Sequence, residues 1–486
     1  MKTPHRALRL FVIALSTLAF AACGSDGEHS GNNISSTNNT SPDADKASDA
    51  EDDADAEDDS DAEGASDAGD SGGELPDEVT YYQHVKPIMD GRCVSCHYDG
   101  GIAPFALSSY EETKQARAGV RAQVSSRQMP PWLAADGCNE YKHDVSLTDR
   151  QIALLERWVD QEAPEGDADN PGDPLPDVGG GLSRVDLTLE MPEAYTPRQS
   201  PDDYRCFPIE WPEDATQFVT GFGVEPGQQS IVHHVIAYVA DPSLSDEIAD
   251  KAAAEEGPGY TCFGGPGVGT QDPTGDQSAS WLGSWAPGGQ GQDFVDGTGI
   301  EIEPGSTVIL QVHYNTLTAD AVADQSAVEL KLADEVDTQA MYLPWTNPQW
   351  LDGDNMLIPA GSPDTTHSWG FDLVSFAGSD ITIYDASMHM HNLGDSARLW
   401  IDRASGDDDC LLDVPRWDFD WQLGYRLEQP LTVSSGDRLS IECQWDNTAE
   451  NQPVVDGERL DPRDVTWGDG TTDEMCLGIF YVSFAE

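Results

Sequence analysis

Residues 381–392 read Ile381-Thr382-Ile383-Tyr384-Asp385-Ala386-Ser387-Met388-His389-Met390-His391-Asn392. The β-branched and aromatic opening, free of glycine and proline, predicts a strand over 381–384. Strand side chains two apart share a face, so His389 and His391 can converge on one ion without distorting the backbone. Comparable runs recur at 231–239, 307–314, 398–401, 438–444 and 476–484, separated by turn-rich segments. The chain holds 46 Gly and 31 Pro in 486 residues, and long helical periodicity is missing from its last three hundred. One or two antiparallel β-sandwiches are therefore expected there.

Histidine placement is the informative feature of this region. Of 11 His, five fall on or beside the predicted strands, in Val232-His233-His234-Val235, in Gln311-Val312-His313-Tyr314-Asn315 and at His389 and His391. His233 and His234 are adjacent and would point to opposite faces. Sharing a metal requires a bulge or a strand end, with Nδ1 ligation as one route; otherwise His233 binds alone. Imidazole supports both Cu(I) and Cu(II), whereas a thioether favours soft Cu(I). A zinc hydrolase is disfavoured, because no Glu sits in a metalloprotease-type helix beside a His pair. His367, in a turn-like Thr-Thr-His-Ser segment, reads as an exposed loop residue, and Trp345, Trp350, Trp417 and Trp421 read as packing.

These residues resemble the copper type II, ascorbate-dependent monooxygenases, the family of peptidylglycine α-hydroxylating monooxygenase and dopamine β-monooxygenase. The resemblance covers residues 183–486 and implies two jelly-roll-like sandwiches, 183–338 and 339–486. It implies a first copper on His233, His234 and His313. A second, catalytic copper falls on His389, His391 and Met475 of Asp473-Glu474-Met475-Cys476. The implied reaction inserts one atom of O2 into a C–H bond of a small substrate, with ascorbate or another reductant supplying electrons. The resemblance also implies disulfides Cys206–Cys262 and Cys443–Cys476. Where peptidylglycine enzymes clamp a substrate carboxylate with Arg and Tyr, this chain has Ser387 and Ile479, so a peptide substrate is not expected.

Upstream, Gly91-Arg92-Cys93-Val94-Ser95-Cys96-His97 carries the pattern that attaches c-type haem: two thiols for the vinyl groups and an axial His. Met129, held extended by Pro130 in Arg127-Gln128-Met129-Pro130-Pro131-Trp132, is the expected opposite ligand. Residues 110–123 have helix-forming composition, and Thr148 with Gln151 makes a capping box ahead of Ile152, Leu155, Trp158 and Val159. The stretch resembles class I cytochrome c domains, which implies a small all-α domain over 79–168 with one covalent haem c. A Pro/Gly/Asp linker follows at 169–182.

The chain begins with Lys2, Arg6 and Arg9 before an apolar run too short for the roughly 20 residues of a spanning helix. Phe20-Ala21-Ala22-Cys23-Gly24 resembles a bacterial lipobox, implying a signal peptide over 1–22 and lipidation at Cys23. Residues 23–78 are polar and acidic and read as a disordered tether. The expected location is an exported lipoprotein, on the outer membrane and facing the periplasm or cell surface, touching membrane only through its lipid. With 89 Asp+Glu against 25 Lys+Arg and a net charge of -64, binding to nucleic acid is excluded.

Nine Cys, less Cys23, Cys93 and Cys96, leaves an even number in an oxidising compartment. Beyond the two implied pairs, Cys138 and Cys410 either bridge the haem domain to the second sandwich or stay free. Two functions follow. One is a monooxygenase whose fused haem, fed by a periplasmic donor, replaces or supplements ascorbate. The other is a copper- and haem-binding electron-transfer lipoprotein without oxygenase activity.

Overall fold

The computed structural model describes residues 74–485, apart from 100–102, 177, 179, 263–264, 270–278, 288, 290, 317–318, 352, 456–457 and 469. The expected signal peptide, Cys23 and nearly all of the tether lie outside the described residues. Among the described residues no helix is long and apolar enough to cross a membrane.

A π-turn at Tyr81–Val85 runs into helix Lys86–Arg92, followed by helices Tyr110–Ser125 and Asp149–Asp160. The last starts at the capping box read from the sequence, with Thr148 accepting from the Gln151 amide and Gln151 reaching back. Ser109 and Glu112 cap the middle helix in the same way. Leu155 and Trp158, three apart on one helical face, are fully buried against Tyr81, Val85, Ile88 and Met89.

Beyond the linker the chain is mostly β-structure, with helices at Ser245–Ala253 and Leu373–Ala377. A five-stranded sheet runs Tyr260–Thr261, Asp202–Glu210, Thr307–Asn315, Val232–Ala240, Ala279–Trp285. A four-stranded sheet runs Thr365–Phe371, Arg438–Trp445, Gly394–Asp402, Asp408–Val414. Both pack on one nine-stranded sheet. Leu187–Glu190, Ala327–Ala333, Gln217–Glu225 and Thr298–Ile302 form its first half, with the short strand Gln292–Asp293 also paired to Gln217–Glu225, and Thr338–Trp345, Leu477–Phe484, Ile381–His389 and Gly424–Val433 form its second. The halves join through a short parallel pairing of Thr298 with Thr338 and Gly299 with Gln339.

The first core gathers Phe207, Val235 and Val312 against Val219, Ile300 and Leu330; the second gathers Leu399, Leu412 and Ile441 against Leu343, Ile383 and Phe480. Full burial of each such side chain stabilises the fold by about 1.5–3 kcal/mol. Three disulfides are formed: Cys206–Cys262, Cys443–Cys476 and Cys138–Cys410. The third decides the alternative left open by the sequence.

Residues 132–142 leave the helical domain as an arm laid on the second sandwich. Leu133 and Ala134 are buried in that sandwich's core, and Trp132 packs edge-on against Tyr425 with ring centroids 4.9 Å apart. His367 departs from expectation. It lies within strand Thr365–Phe371, half-buried between Trp350 and Trp445, with Nε2 3.0 Å from the Leu357 carbonyl.

Candidate metal centres

Strand Thr307–Asn315 sends Val308, Leu310, Val312 and Tyr314 into the first core, so His313 faces the other side of its sheet. His234 sits opposite His313, and the register slips between Val232 and His234. That bulge turns two sequence neighbours toward one point, the condition their sharing of a metal requires. Nδ1 of His234 lies 3.3 Å from Nδ1 of His233 and 3.3 Å from Nδ1 of His313. All three offer ligand atoms within 4.8 Å of one another. Burial pushes the His313 imidazole down to about 4 and drives His234 well below the usual histidine range, so both stay neutral, the form that binds metal.

With Nδ1 inward, the Nε2 atoms face outward. His313 Nε2 is 2.8 Å from Asp202 Oδ1, which also accepts from Asn315, while Asp202 Oδ2 accepts from Thr471 Oγ1 at 2.9 Å. A carboxylate behind a metal-ligating imidazole orients the ring and raises its basicity. With Cu(II) as the probe metal, Asp202→Asn is therefore expected to weaken binding at this cluster by about 10- to 100-fold in a chelator-competition titration while leaving binding at His389 and His391 in place.

The second cluster forms where strand Ile381–His389 ends. Nε2 of His389 lies 3.2 Å from Nε2 of His391. Their Nδ1 atoms are held from behind, His389 by Gln422 Oε1 at 2.6 Å and His391 by the Asp473 carbonyl at 3.1 Å. Burial lowers both imidazoles, His391 to about 3. Met475 is buried. Asp473 and Glu474 touch His391, and Leu477 pairs with His389, so the intervening chain carries Met475 to the same place. Cys476, bonded to Cys443, anchors that segment.

Glu474 is fully buried. It accepts from the amides of His391 at 2.9 Å and Leu393 at 2.6 Å and from Trp445 Nε1 at 2.9 Å. Burial pushes its carboxyl up to about 7 against the pull of those donors. Trp417, expected only to pack, donates Nε1 to the His391 carbonyl at 3.1 Å.

In the helical domain Cys93 and Cys96 are free thiols, and burial pushes Cys93 up to about 12. His97 Nδ1 is 3.0 Å from the Phe105 carbonyl, leaving Nε2 available to a metal. Two unpaired thiols beside an imidazole held in this way fit a covalently attached haem. Cys96 lines a cavity of about 550 Å³, and Met129 lines an adjoining one of about 410 Å³; Pro130 and Trp132 are walls of both. Ser387, Gln422 and Ile479 also line the larger cavity. Ser387 and Ile479 are register partners on neighbouring strands. Arg426 there is held by both Asp385 oxygens, at 2.9 and 3.2 Å, and by the Asp293 carbonyl at 2.6 Å.

Asp202 and Gln422 escaped the sequence reading, and Trp417 was read there only as packing. Each is far in sequence from the imidazole it supports, so no local spacing marks it. Glu474 stood inside the motif that was read, but its hydrogen-bonding role depends on a fold that brings residue 391 to it.

Residues 353–486, which include His389, His391 and Met475, match the family described as copper type II ascorbate-dependent monooxygenase, C-terminal domain. The three-histidine cluster lies outside that stretch. DBH-like monooxygenase protein 1 of Gallus gallus is 23% identical over 275 residues, covering 52% of this chain and 39% of that protein. Its Homo sapiens counterpart is 24% identical over 267 residues, covering 52% and 39%. The chain thus spans less than half the length of these curated relatives. Among solved structures, PNGF-II gives a TM-score of 0.24 at 8% identity, covering 62% of this chain and 65% of that chain. A likeness that slight carries no functional argument.

Proposed function

We propose that this chain is a copper-dependent monooxygenase that hydroxylates a C–H bond of a small substrate. The observation that carries the reading is the pairing of a three-imidazole cluster with a separate His-x-His site. The second site has a buried methionine on the adjoining segment and lies inside the stretch that matches the copper monooxygenase family. The chemical requirement is R–H + O2 + 2e⁻ + 2H⁺ → R–OH + H2O, the electrons coming from ascorbate or another one-electron reductant. Copper, when bound, supplies the one-electron redox steps and the O2 chemistry.

The residues divide that work. His389, His391 and Met475 form a mixed imidazole and thioether set suited to reduced copper, while His233, His234 and His313 form an all-nitrogen set suited to both oxidation states. Gln422 and the Asp473 carbonyl fix the outer nitrogens of the second pair, so their Nε2 atoms stay turned inward. Ser387 and Ile479, at the positions that resemble the Arg and Tyr of the peptidylglycine carboxylate clamp, line the larger cavity, which supports a substrate held by contacts other than that clamp.

In the finer reading Cys93, Cys96 and His97 hold one haem c with Met129 opposite, and that domain supplies electrons. Export and a lipid at Cys23 place the reaction outside the cytoplasm.

Purified protein is expected to hold two coppers, falling to one in His313→Ala and in His389→Ala. It is expected to couple O2 uptake to a hydroxylated product labelled from ¹⁸O2, with Met475→Ala at background. Copper bound without any O2 uptake, across a substrate panel and with ascorbate present, would replace this reading with an electron-transfer lipoprotein. In stopped flow, haem that stays reduced while product forms removes the electron-supply role.

A further inference from the structure

Residues 415–423 connect strand Asp408–Val414 to strand Gly424–Val433 in the second sandwich, and they touch both metal clusters. Trp417 holds the His391 carbonyl and Gln422 Oε1 holds His389 Nδ1. The same Gln422 donates Nε2 to the Phe419 carbonyl at 3.0 Å, so the residue behind His389 also sets the backbone of Phe419. The Phe419 ring stacks on His233 of the first sandwich, with centroids 5.1 Å apart and planes at 22°. Its edge meets His391 of the second cluster at 6.3 Å and 85°. Asp420 Oδ1 stands 3.8 Å from His233 Nε2.

The two flanking imidazoles of the first cluster are therefore backed differently. His313 has Asp202 from its own sandwich, at 2.8 Å. His233, the residue at the bulge, has Asp420 and Phe419 from the other sandwich. A second crossing runs nearby: Thr471 donates Oγ1 to Asp202 and accepts from Asn392 Nδ2 at 2.8 Å, one residue from His391.

We infer that Phe419 and Asp420 are positioning residues for the three-histidine cluster, supplied across the boundary between sandwiches, and that their loop sets the spacing of the two metal sites. The inference rests on the reading that both clusters bind copper. The Phe419 face on one side of the His233 ring sets its plane and with it the direction of Nδ1, and the Asp420 carboxylate, 3.8 Å beyond Nε2 and too far for a hydrogen bond, favours that orientation electrostatically. Because Gln422 ties Phe419 to His389, a shift of the loop moves the support of both sites together.

The test uses the full chain loaded with Cu(II), read by pulsed dipolar EPR for the intersite distance and by chelator competition for affinity. Wild type is expected to show one narrow distance. Phe419→Ala is expected to broaden and lengthen the distribution, and Asp420→Asn to weaken copper at the three-histidine cluster by about tenfold, with the other cluster unchanged. Phe419→Leu, which keeps apolar packing but loses the flat ring, is expected to fall between wild type and Phe419→Ala, and it guards against a folding defect. A wild-type distance in both Phe419 variants together with wild-type affinity in Asp420→Asn overturns the proposal. Failure of O2 uptake with both coppers bound and the distance change present removes the oxygenase reading and leaves this inference standing.

Discussion

Glu474→Ala is expected to lower the stability of the second sandwich by roughly 3 to 9 kcal/mol, the cost of leaving three buried N–H donors without an acceptor. The donors are the His391 and Leu393 amides and Trp445 Nε1, and the carboxylate they share is fully buried. Two of them, His391 N and Trp445 Nε1, bond to Oε2, and Leu393 N bonds to Oε1. Glu474→Gln separates charge from geometry. Its carbonyl can replace Oε2 and serve two donors, but its amide then meets the Leu393 N–H head on, so a loss of roughly 1 to 3 kcal/mol is expected. The glutamate also precedes Met475 and braces the turn carrying His391. Copper at the His389 cluster should therefore be lost in the alanine variant, even at temperatures where the domain remains folded, while the three-histidine cluster keeps its ion. Denaturant unfolding followed by tryptophan emission, with copper counted per chain, checks both parts. An alanine variant within about 1 kcal/mol of wild type, the net worth of an ordinary hydrogen bond, would mean that water or backbone rearrangement satisfies those donors.

The strands were legible because β-branched and aromatic runs between turn residues report local preference. Ile381–His389 and Thr307–Asn315 extend the runs read at 381–384 and 307–314. The His-x-His pair was legible for the same reason: a period of two needs no knowledge of the fold. The His233–His234 pair was only conditionally legible, since its geometry turns on a bulge that propensity does not encode. His367 was misread because Thr-Thr-His-Ser lacks apolar residues, yet pairing with Arg438–Trp445 and the rings of Trp350 and Trp445 draw it into a sheet. Tertiary packing there overrides a local polar signal. The joining of both sandwiches into one nine-stranded sheet, the arm at 132–142 and the loop at 415–423 had no local signature. Each arises from contacts between residues far apart in the chain.

The Cys138–Cys410 disulfide should govern whether that arm stays docked. Its sequence separation is 272, for which the chain-entropy relation gives about 5 to 6 kcal/mol of stabilisation. The figure is an upper bound for the pair Cys138→Ser with Cys410→Ser, because the arm is also held by bonds that survive the substitution. The Ala135 amide donates to the Asp413 carbonyl at 2.8 Å, the Lys142 amide to the Arg426 carbonyl at 2.9 Å, and the Glu428 amide to the Glu140 carbonyl at 2.8 Å. Tyr141 donates its hydroxyl to the Leu411 carbonyl at 3.0 Å, and Trp132, Tyr141 and Tyr425 pack ring against ring. The helices have a core separate from those of the sandwiches, and the arm contributes only Leu133 and Ala134 to the buried core of the second, so the loss should appear as release of the arm before any of the cores melts as a whole. Amide exchange at Ala135 and Lys142 is expected to accelerate by up to about 10⁴-fold, since every 1.4 kcal/mol is a factor of ten, while the buried strand Thr307–Asn315 keeps its protection. Released, the arm pulls on Pro130, Pro131 and Trp132, which line the same cavity as Cys96 and Ser387. Under the proposed electron-supply role of the helical domain, delivery should then become variable between molecules, seen as multiphasic kinetics in place of a single phase. Exchange at Ala135 and Lys142 that matches wild type would show that the hydrogen bonds and rings alone hold the domains together, and that the disulfide records their proximity without enforcing it.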